Sequence, residues 1–227
     1  MTVTIDVDLR AKFGPVRDQG ARPTCLAFAA SDAHAALRSG WDPLSCEFAF
    51  YHAQKRTGRS PNRGAFLDDM LAALRDTGQP SESGWPYIPR LPTDLRHYCP
   101  PSSVGNLFGR ESQKASHEVD RVCDALDSNV PAIVLSVLTR SFFNPPSDGV
   151  IDQITGDEVF PTPRHAVIAV GHGKAATKRV ILVRNSWGPT WGLSGYAWLT
   201  EDFLAKHMYA LAILTDECDV SGHSATA

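Results

Sequence analysis

The chain has 227 residues, of which 43% are hydrophobic and 21% are charged. A disordered protein would be poorer in apolar residues and more one-sided in charge, so the composition excludes disorder for most of the chain. There are 22 basic and 25 acidic residues, a formal net charge of −3, without a basic cluster. This balance argues against a nucleic-acid-binding domain. No apolar run reaches the roughly 18 residues that a membrane-spanning helix needs, and the first residues lack the pattern of a secretory signal.

The cysteines are widely spaced, odd in number and without a CxxC pair. A disulfide framework or a zinc site would show a different pattern. We therefore expect reduced thiols, no metal and a cytoplasmic location. The five are Cys25, Cys46, Cys99, Cys123 and Cys218.

The first half of the chain predicts helices after an extended or looped segment over residues 1–23. Thr24 is placed to act as the N-cap of an Ala-rich helix that ends before Gly40. In the same way Ser45 and Gly58 are placed to begin and end a second helix. The predicted helices cover 25–39, 45–57, 66–76 and, after an irregular segment at 79–110, residues 116–128.

The second half predicts strands separated by Gly-rich and polar turns. Helices followed by strands, rather than alternating with them, indicate an α+β fold. The final residues, SGHSATA, are expected to fray. The predicted strands cover 131–137, 165–171, 179–184, 195–199 and 209–214.

Cys25 is the candidate nucleophile because it opens an apolar helix. The positive end of a helix and its unpaired N–H groups favour a thiolate over a thiol. The alternative is that Cys25 is simply a small buried hydrophobic residue, as free cysteines commonly are.

His165 is the candidate base, since it opens a strand next to a loop, with His172 as its nearest rival. If strands 165–171 and 179–184 form a hairpin, Asn185 comes close to His165 and its amide oxygen fixes the ring. Trp187 is placed to cover that hydrogen bond, and Gln19 to offer an amide donor to an oxyanion together with the Cys25 N–H. Taken singly, each of these residues also fits an ordinary turn or packing role.

The motifs together resemble the papain-like cysteine peptidases over roughly residues 13–214. The matching segments are PVRDQGARPTCLAFA at 15–29, RHAVIAVGHG at 164–173 and VRNSWGPTWGLSGYAWL at 183–199. His165 and Asn185 follow Cys25 by 140 and 160 positions, and papain-type enzymes place His and Asn about 130–150 residues after the nucleophile.

The resemblance implies a papain-like two-lobed fold with a cleft between the lobes. The helical lobe would span roughly 13–110, the β-rich, barrel-like lobe roughly 111–215, and a frayed tail 216–227. It also implies Cys25 as nucleophile, His165 as base and then acid, Asn185 as orienter and Gln19 as oxyanion donor, without a cofactor. The substrate would be an extended polypeptide, and its candidate contacts are Gly64, Ala65, Phe66, Val137, Arg164, Ala166, Trp187 and Trp191.

The chain also departs from the family pattern. Arg22 stands in the segment before the nucleophile, where secreted members carry a disulfide-forming cysteine, and Leu26 stands where they carry an aromatic residue. These departures suggest the intracellular bacterial branch, and Arg22 is expected to favour the thiolate or attract acidic substrate groups. Because Gln19 lies so near Met1, we expect no room for an inhibitory propeptide, so that control comes from elsewhere or the chain is an excised domain.

The leading hypothesis is a cysteine endopeptidase of narrow specificity acting on a dedicated protein target or controlled by a dedicated regulator. An amidase, transpeptidase or deconjugating enzyme would use the same four residues on another substrate. A catalytically silent peptide-binding module is the alternative outside enzymes.

Overall fold

The computed structural model describes residues 2–220, with the backbone alone at Pro163. Within it the chain forms two compact units. A helix-rich unit contains Gln19–Ser112 and the residues from Leu214 onward, and a β-rich unit contains the residues up to Asp18 together with Gln113–Ile213. The first 18 residues thus group with the strands, because the first strand pairs inside the sheet of the β-rich unit.

Three helices build the helix-rich unit: α1 (Cys25–Ala36), α2 (Cys46–Thr57) and α3 (Leu67–Asp76). All residues of α1 after Cys25 are buried, as its Ala-rich sequence predicts, and it packs against α2 and α3. Ser45 caps α2 by accepting a hydrogen bond from the Phe48 N–H at 3.0 Å, and Gly58 ends it in the left-handed conformation (φ 63°). Both were predicted, and both leave the helix ends with their polar groups satisfied.

The last two residues of the predicted irregular segment 79–110 begin a strand, Gly109–Ala115. The irregular segment proper, residues 79–108, contains two 3₁₀ turns, Glu82–Gly84 and Leu95–His97. It is held by aromatic packing, since Trp85 and Tyr98 join Phe48 in a small buried cluster. Backbone bonds between Gln79 and Phe108 close its two ends. The segment therefore has a fixed path without regular secondary structure.

The β-rich unit is built on a mainly antiparallel sheet in which β8, β3, β5, β6 and β7 follow one another in space, with β4 parallel to β7 at the edge. Its core lies between this sheet and the helices, α4 (Val119–Asp127), α5 (Arg140–Phe143) and α6 (Glu201–His207). The strands are β1 (Val3–Asp8), β2 (Gly109–Ala115), β3 (Ala132–Thr139), β4 (Val150–Ile151), β5 (Val159–Ala175), β6 (Lys178–Arg184), β7 (Tyr196–Thr200) and β8 (Met208–Cys218).

The predicted hairpin is present, and its strands are longer than the sequence pattern indicated. β5 pairs antiparallel with β6, and a two-residue turn containing Ala176 at φ 53° joins them. β1, β2, β4, α5 and α6 were not predicted. β8 continues to Cys218, so residues 216–218 belong to a strand and not to a frayed tail, whereas SGHSATA lies outside the described residues.

β1 pairs with the far half of β5, where two glycines permit a close approach. A Cβ atom at Gly173 would lie 2.1 Å from the Thr4 carbonyl oxygen, and one at Gly171 would lie 2.5 Å from the Val7 carbonyl oxygen. Glycine in β5 therefore lets the backbone of β1 approach where the two strands meet. Within residues 2–220, no helix is long and apolar enough to cross a membrane.

Candidate active site

Cys25 is the first residue of α1 and is partly exposed, as the sequence predicted for the helix start. The first turn of this helix carries no acidic residue. Thr24 occupies the N-cap position, but the prediction that it caps the helix is wrong. Its side chain makes no capping bond, and its hydroxyl instead lies 3.1 Å from the Tyr87 hydroxyl.

Gln19 lies in the loop that leads into α1, with its side chain buried. Its amide Nε2 donates to the Arg22 carbonyl oxygen at 2.8 Å, and the Thr24 N–H donates to the same oxygen at 2.9 Å. One carbonyl thus ties the Gln19 amide to the residue that precedes Cys25. The predicted oxyanion role of Gln19 stays a prediction.

Arg22 does not act as predicted, because its charge is already compensated. The guanidinium is 6% exposed and pairs with Glu47, which is 0% exposed, through N···O distances of 2.6 and 2.9 Å. Burial alone would lower the pKa of Arg22, but its hydrogen bonds and its attraction to Glu47 outweigh that effect and raise it. Arg22 therefore offers neither a free positive charge to a thiolate nor a site for acidic substrate groups.

Glu47 is the residue that sequence reasoning missed. It lies on α2 and accepts hydrogen bonds from Arg22, the Ile88 N–H and the Tyr98 hydroxyl. These bonds join the loop before Cys25 to α2 and to the irregular segment. A signal was present, since Glu47 falls among apolar residues in CEFAF, and an acid buried on a helix requires partners.

The predicted Gly-rich wall lies in the loop before α3. Arg59 Nε donates to the Gly64 carbonyl oxygen at 2.6 Å, and its guanidinium lies 4.2 Å from the centroid of the Phe66 ring. Phe66 is 53% exposed, while Gly64 and Ala65 are half-buried. All three residues have solvent-exposed surface. Their contact with substrate stays a prediction, and this exposure is compatible with it.

In the β-rich unit, His165 on β5 and Asn185 after β6 are brought together by the hairpin. His165 Nε2 lies 2.7 Å from Asn185 Oδ1, and this oxygen also accepts the Ser186 N–H at 2.8 Å. Because an amide oxygen accepts only, the hydrogen of a neutral His165 is on Nε2. Nδ1 is then the ring nitrogen that can take up a proton.

The surroundings of His165 keep its ring neutral. Burial lowers the pKa of His165 to about 4, and the hydrogen bond to Asn185 opposes this only in part. Low polarity disfavours an imidazolium unless a negative charge lies nearby. Only the neutral ring can accept a proton.

Aromatic side chains supply this dry environment. The Trp187 ring lies 4.5 Å from the His165 ring and the Phe142 ring 5.8 Å from it, measured between centroids. Phe143 stacks on Trp187 at 5.3 Å and is 40% exposed. Trp191 is 7% exposed and its indole N–H donates to the Phe142 carbonyl oxygen at 3.0 Å, so it offers little surface to a substrate.

The remaining residues that the sequence offered as candidates differ in exposure and in the partners they contact. His172, the rival base, lies on β5 and not in a turn, and its Nε2 contacts Asp127 at 2.8 Å. Ala166 is 2% exposed and faces the core, which is wrong for a substrate contact. Val137 is half-buried and pairs with Arg164 across β3 and β5. Arg164 is exposed, and its guanidinium lies 4.5 Å from the centroid of the Tyr209 ring.

All five cysteines are thiols. Within the described residues, no group of three or more His, Cys, Asp or Glu side chains is arranged to hold a metal ion.

The role of the aromatic cover is testable by titrating His165. In a Cys25→Ala background, which removes any thiolate, the ring should titrate at a pKa of about 4 because of its burial. Adding Trp187→Ala admits water, so we expect the pKa of His165 to rise toward 6.5. The measurement is an NMR pH titration of the imidazole protons. Leu193→Ala, at a 42% exposed position, is the control, and an unchanged pKa in the Trp187 variant would contradict the shielding role.

Comparison with known proteins places these features in a family. The family described as "Papain family cysteine protease" matches residues 3–213. Papaya proteinase 4 of Carica papaya is 30% identical over 201 residues, which are 84% of this chain and 53% of the relative. Procathepsin L of Felis catus is 27% identical over 209 residues, covering 86% of this chain and 60% of the relative. The chain thus spans between half and two thirds of the length of these relatives.

Solved structures agree on the fold. Xylellain, a cysteine protease from Xylella fastidiosa, superposes with a TM-score of 0.74 at 22% identity, covering 94% of this chain and 87% of that one. Bromelain from Ananas comosus, solved with the E64 inhibitor, gives a TM-score of 0.70 at 20% identity, with 92% and 97% covered. The fold is therefore the papain-like α+β fold. With the family match over nearly all of its length, the chain belongs to the papain family of cysteine proteases.

Proposed function

We propose that this protein is a cysteine endopeptidase that cleaves peptide bonds through an acyl-enzyme on Cys25. The observation that carries the proposal is the 2.7 Å hydrogen bond from His165 Nε2 to Asn185 Oδ1, since it leaves Nδ1 as a proton acceptor. Family membership supports the same reaction. Cys25, His165, Asn185 and Gln19 are the residues to which the proposal assigns the chemistry.

The proposed reaction begins when Nδ1 of His165 takes the Cys25 thiol proton. A thiolate beside the ring raises the pKa of the imidazole, because an opposite charge favours the charged form, and so opposes the lowering caused by burial. Cys25 Sγ attacks the substrate carbonyl carbon, and Gln19 Nε2 and the Cys25 N–H donate to the resulting oxyanion. The imidazolium protonates the leaving amine as the C–N bond breaks. Water, deprotonated by His165, then hydrolyses the thioester and restores the thiol.

The proposal is tested by covalent labelling of the folded chain at mildly acidic pH. An epoxysuccinyl peptide, an electrophile that traps activated thiolates, should add once to Cys25. The adduct is measured by the intact mass of the protein. His165→Ala should abolish the adduct, because the ring that holds the thiolate is gone. Cys99→Ala removes an exposed thiol and should label like the unchanged chain.

An adduct of equal yield in Cys25→Ala, or an equal rate in His165→Ala, would contradict the assignment. Cleavage of a quenched fluorescent peptide library is the companion assay. Production of free carboxylic acid ends, without acyl transfer to an added amine, would distinguish a peptidase from a transpeptidase.

We further propose narrow specificity for a dedicated protein target, acting in the cytoplasm. The reasoning is that an unselective peptidase among folding and nascent chains would be harmful, so selectivity or a regulator is required. Purified protein should therefore cleave unfolded casein at least about a hundredfold more slowly than its best library peptide, a difference of about 2.7 kcal/mol in transition-state binding. Rapid digestion of casein would contradict narrow specificity and leave the peptidase assignment intact.

A further inference from the structure

The hydroxyl of Tyr87 lies between the loop that carries Gln19 and the start of α1. Tyr87 Oη donates to the Gln19 carbonyl oxygen at 2.6 Å and lies 3.1 Å from Thr24 Oγ1. A phenol has one hydrogen and a carbonyl oxygen can only accept. Thr24 must therefore be the donor to Tyr87, which gives a directed chain from Thr24 through Tyr87 to Gln19.

The Thr24 hydroxyl of this chain stands at the N-cap position of α1 but is oriented toward Tyr87. Three other helices use their N-cap hydroxyl in the ordinary way: Ser45 accepts from Phe48, Thr139 from Phe142 and Thr200 from Phe203. Thr24 makes no such bond, and its backbone (φ −107°, ψ 11°) departs from the extended conformation usual at an N-cap. The side chain that would ordinarily satisfy the first-turn N–H groups of α1 is thus turned away from them.

An uncapped helix start matters because Cys25 is its first residue. N–H groups without a capping side chain, and the positive end of the helix, stabilise a negative charge placed there. A capping oxygen or a first-turn carboxylate would compete for that role, and α1 has neither.

Tyr87 is itself firmly held. Its N–H donates to Glu82 Oε1 at 2.8 Å, its ring meets the Phe28 ring edge-on at 4.8 Å, and the Arg22 guanidinium lies 5.2 Å from its centroid. Burial raises the pKa of the Tyr87 phenol, so the group stays a hydrogen-bond donor at neutral and moderately alkaline pH.

We propose that Tyr87 is a positioning residue, which through one hydroxyl fixes the Gln19 loop and keeps Thr24 from capping the helix that begins at Cys25. The inference rests on the proposed function, in which Cys25 is the nucleophile and Gln19 the oxyanion donor. Tyr87 touches neither the substrate nor the reacting sulfur in this account and acts only through Thr24 and Gln19.

The test is Tyr87→Phe, which removes the hydroxyl and retains the ring. The first readout is the pH dependence of Cys25 alkylation by iodoacetamide, with the exposed Cys99 as internal standard. The second is kcat and KM on the best library peptide. Loss of the bridging bonds should lower kcat about tenfold, which corresponds to about 1.4 kcal/mol. KM should change less than about twofold, and the pH of half-maximal alkylation should rise.

Matched variants separate positioning from packing. Thr24→Val, which has no oxygen to cap α1, should leave the alkylation profile unchanged and lower kcat less than Tyr87→Phe does. Thr24→Ser, which keeps the hydroxyl, should match the unchanged chain in both readouts. Tyr51→Phe, a change of the same kind on α2, should leave them unchanged.

Two outcomes overturn the inference. If Tyr87→Phe lowers only the unfolding temperature, with kcat and the alkylation profile unchanged, Tyr87 is a packing residue and the proposed function stands. If Cys25 in the unchanged chain alkylates no faster than Cys99, the proposed function fails and the inference fails with it.

Discussion

The buried ion pair between Arg22 and Glu47 is the constraint on which the loop before Cys25, the proposed nucleophile, depends. Two charges removed from water are tolerated only when their geometry is good and further hydrogen bonds satisfy the remaining atoms. Glu47 meets this condition by accepting from Ile88 and Tyr98 as well as from Arg22. Because the carbonyl of Arg22 in turn accepts from Gln19 and Thr24, fixing its side chain fixes the loop that enters α1. Arg22, although charged and close to Cys25 in sequence, therefore acts on Cys25 by fixing this loop and not by its electric field.

His165, the proposed base, is oriented by a neutral group and not by an ion pair. Within residues 2–220, the hydrogen-bond partner found for His165 is the neutral amide of Asn185, which orients the ring, and aromatic rings exclude water. The result is an imidazole whose pKa is lowered by burial to about 4. In the proposed mechanism such a ring stays ready to accept a proton, and only a thiolate beside it stabilises the imidazolium.

Local signals predicted a large part of this arrangement. Ser45 and Gly58 mark helix ends by their own chemistry, and the apolar runs on either side of a short polar turn predicted the hairpin that joins His165 to Asn185. What could not be predicted depended on contacts distant in sequence. Thr24 has the right residue type for a cap, but Tyr87, 63 positions away, engages its hydroxyl. The role of Arg22 was misjudged because Glu47 is 25 positions away. β1 was missed because its partner strand β5 is distant in sequence, although Gly171 and Gly173 in β5 were a signal of a close backbone approach.

The most direct test of the account is the alkylation profile of Cys25 in Glu47→Gln, with Asp94→Asn as control for an exposed Arg–Asp pair. The variant leaves the Arg22 charge buried without its partner, which should cost about 3–5 kcal/mol of stability, so the profile is measured under conditions where far-ultraviolet circular dichroism shows a folded chain. We expect the pH of half-maximal alkylation of Cys25 to rise. The alkylation rate at pH 6 should fall about tenfold or more, which is a barrier increase of about 1.4 kcal/mol. An alkylation profile equal to that of the unchanged chain would show that the ion pair does not position the nucleophile.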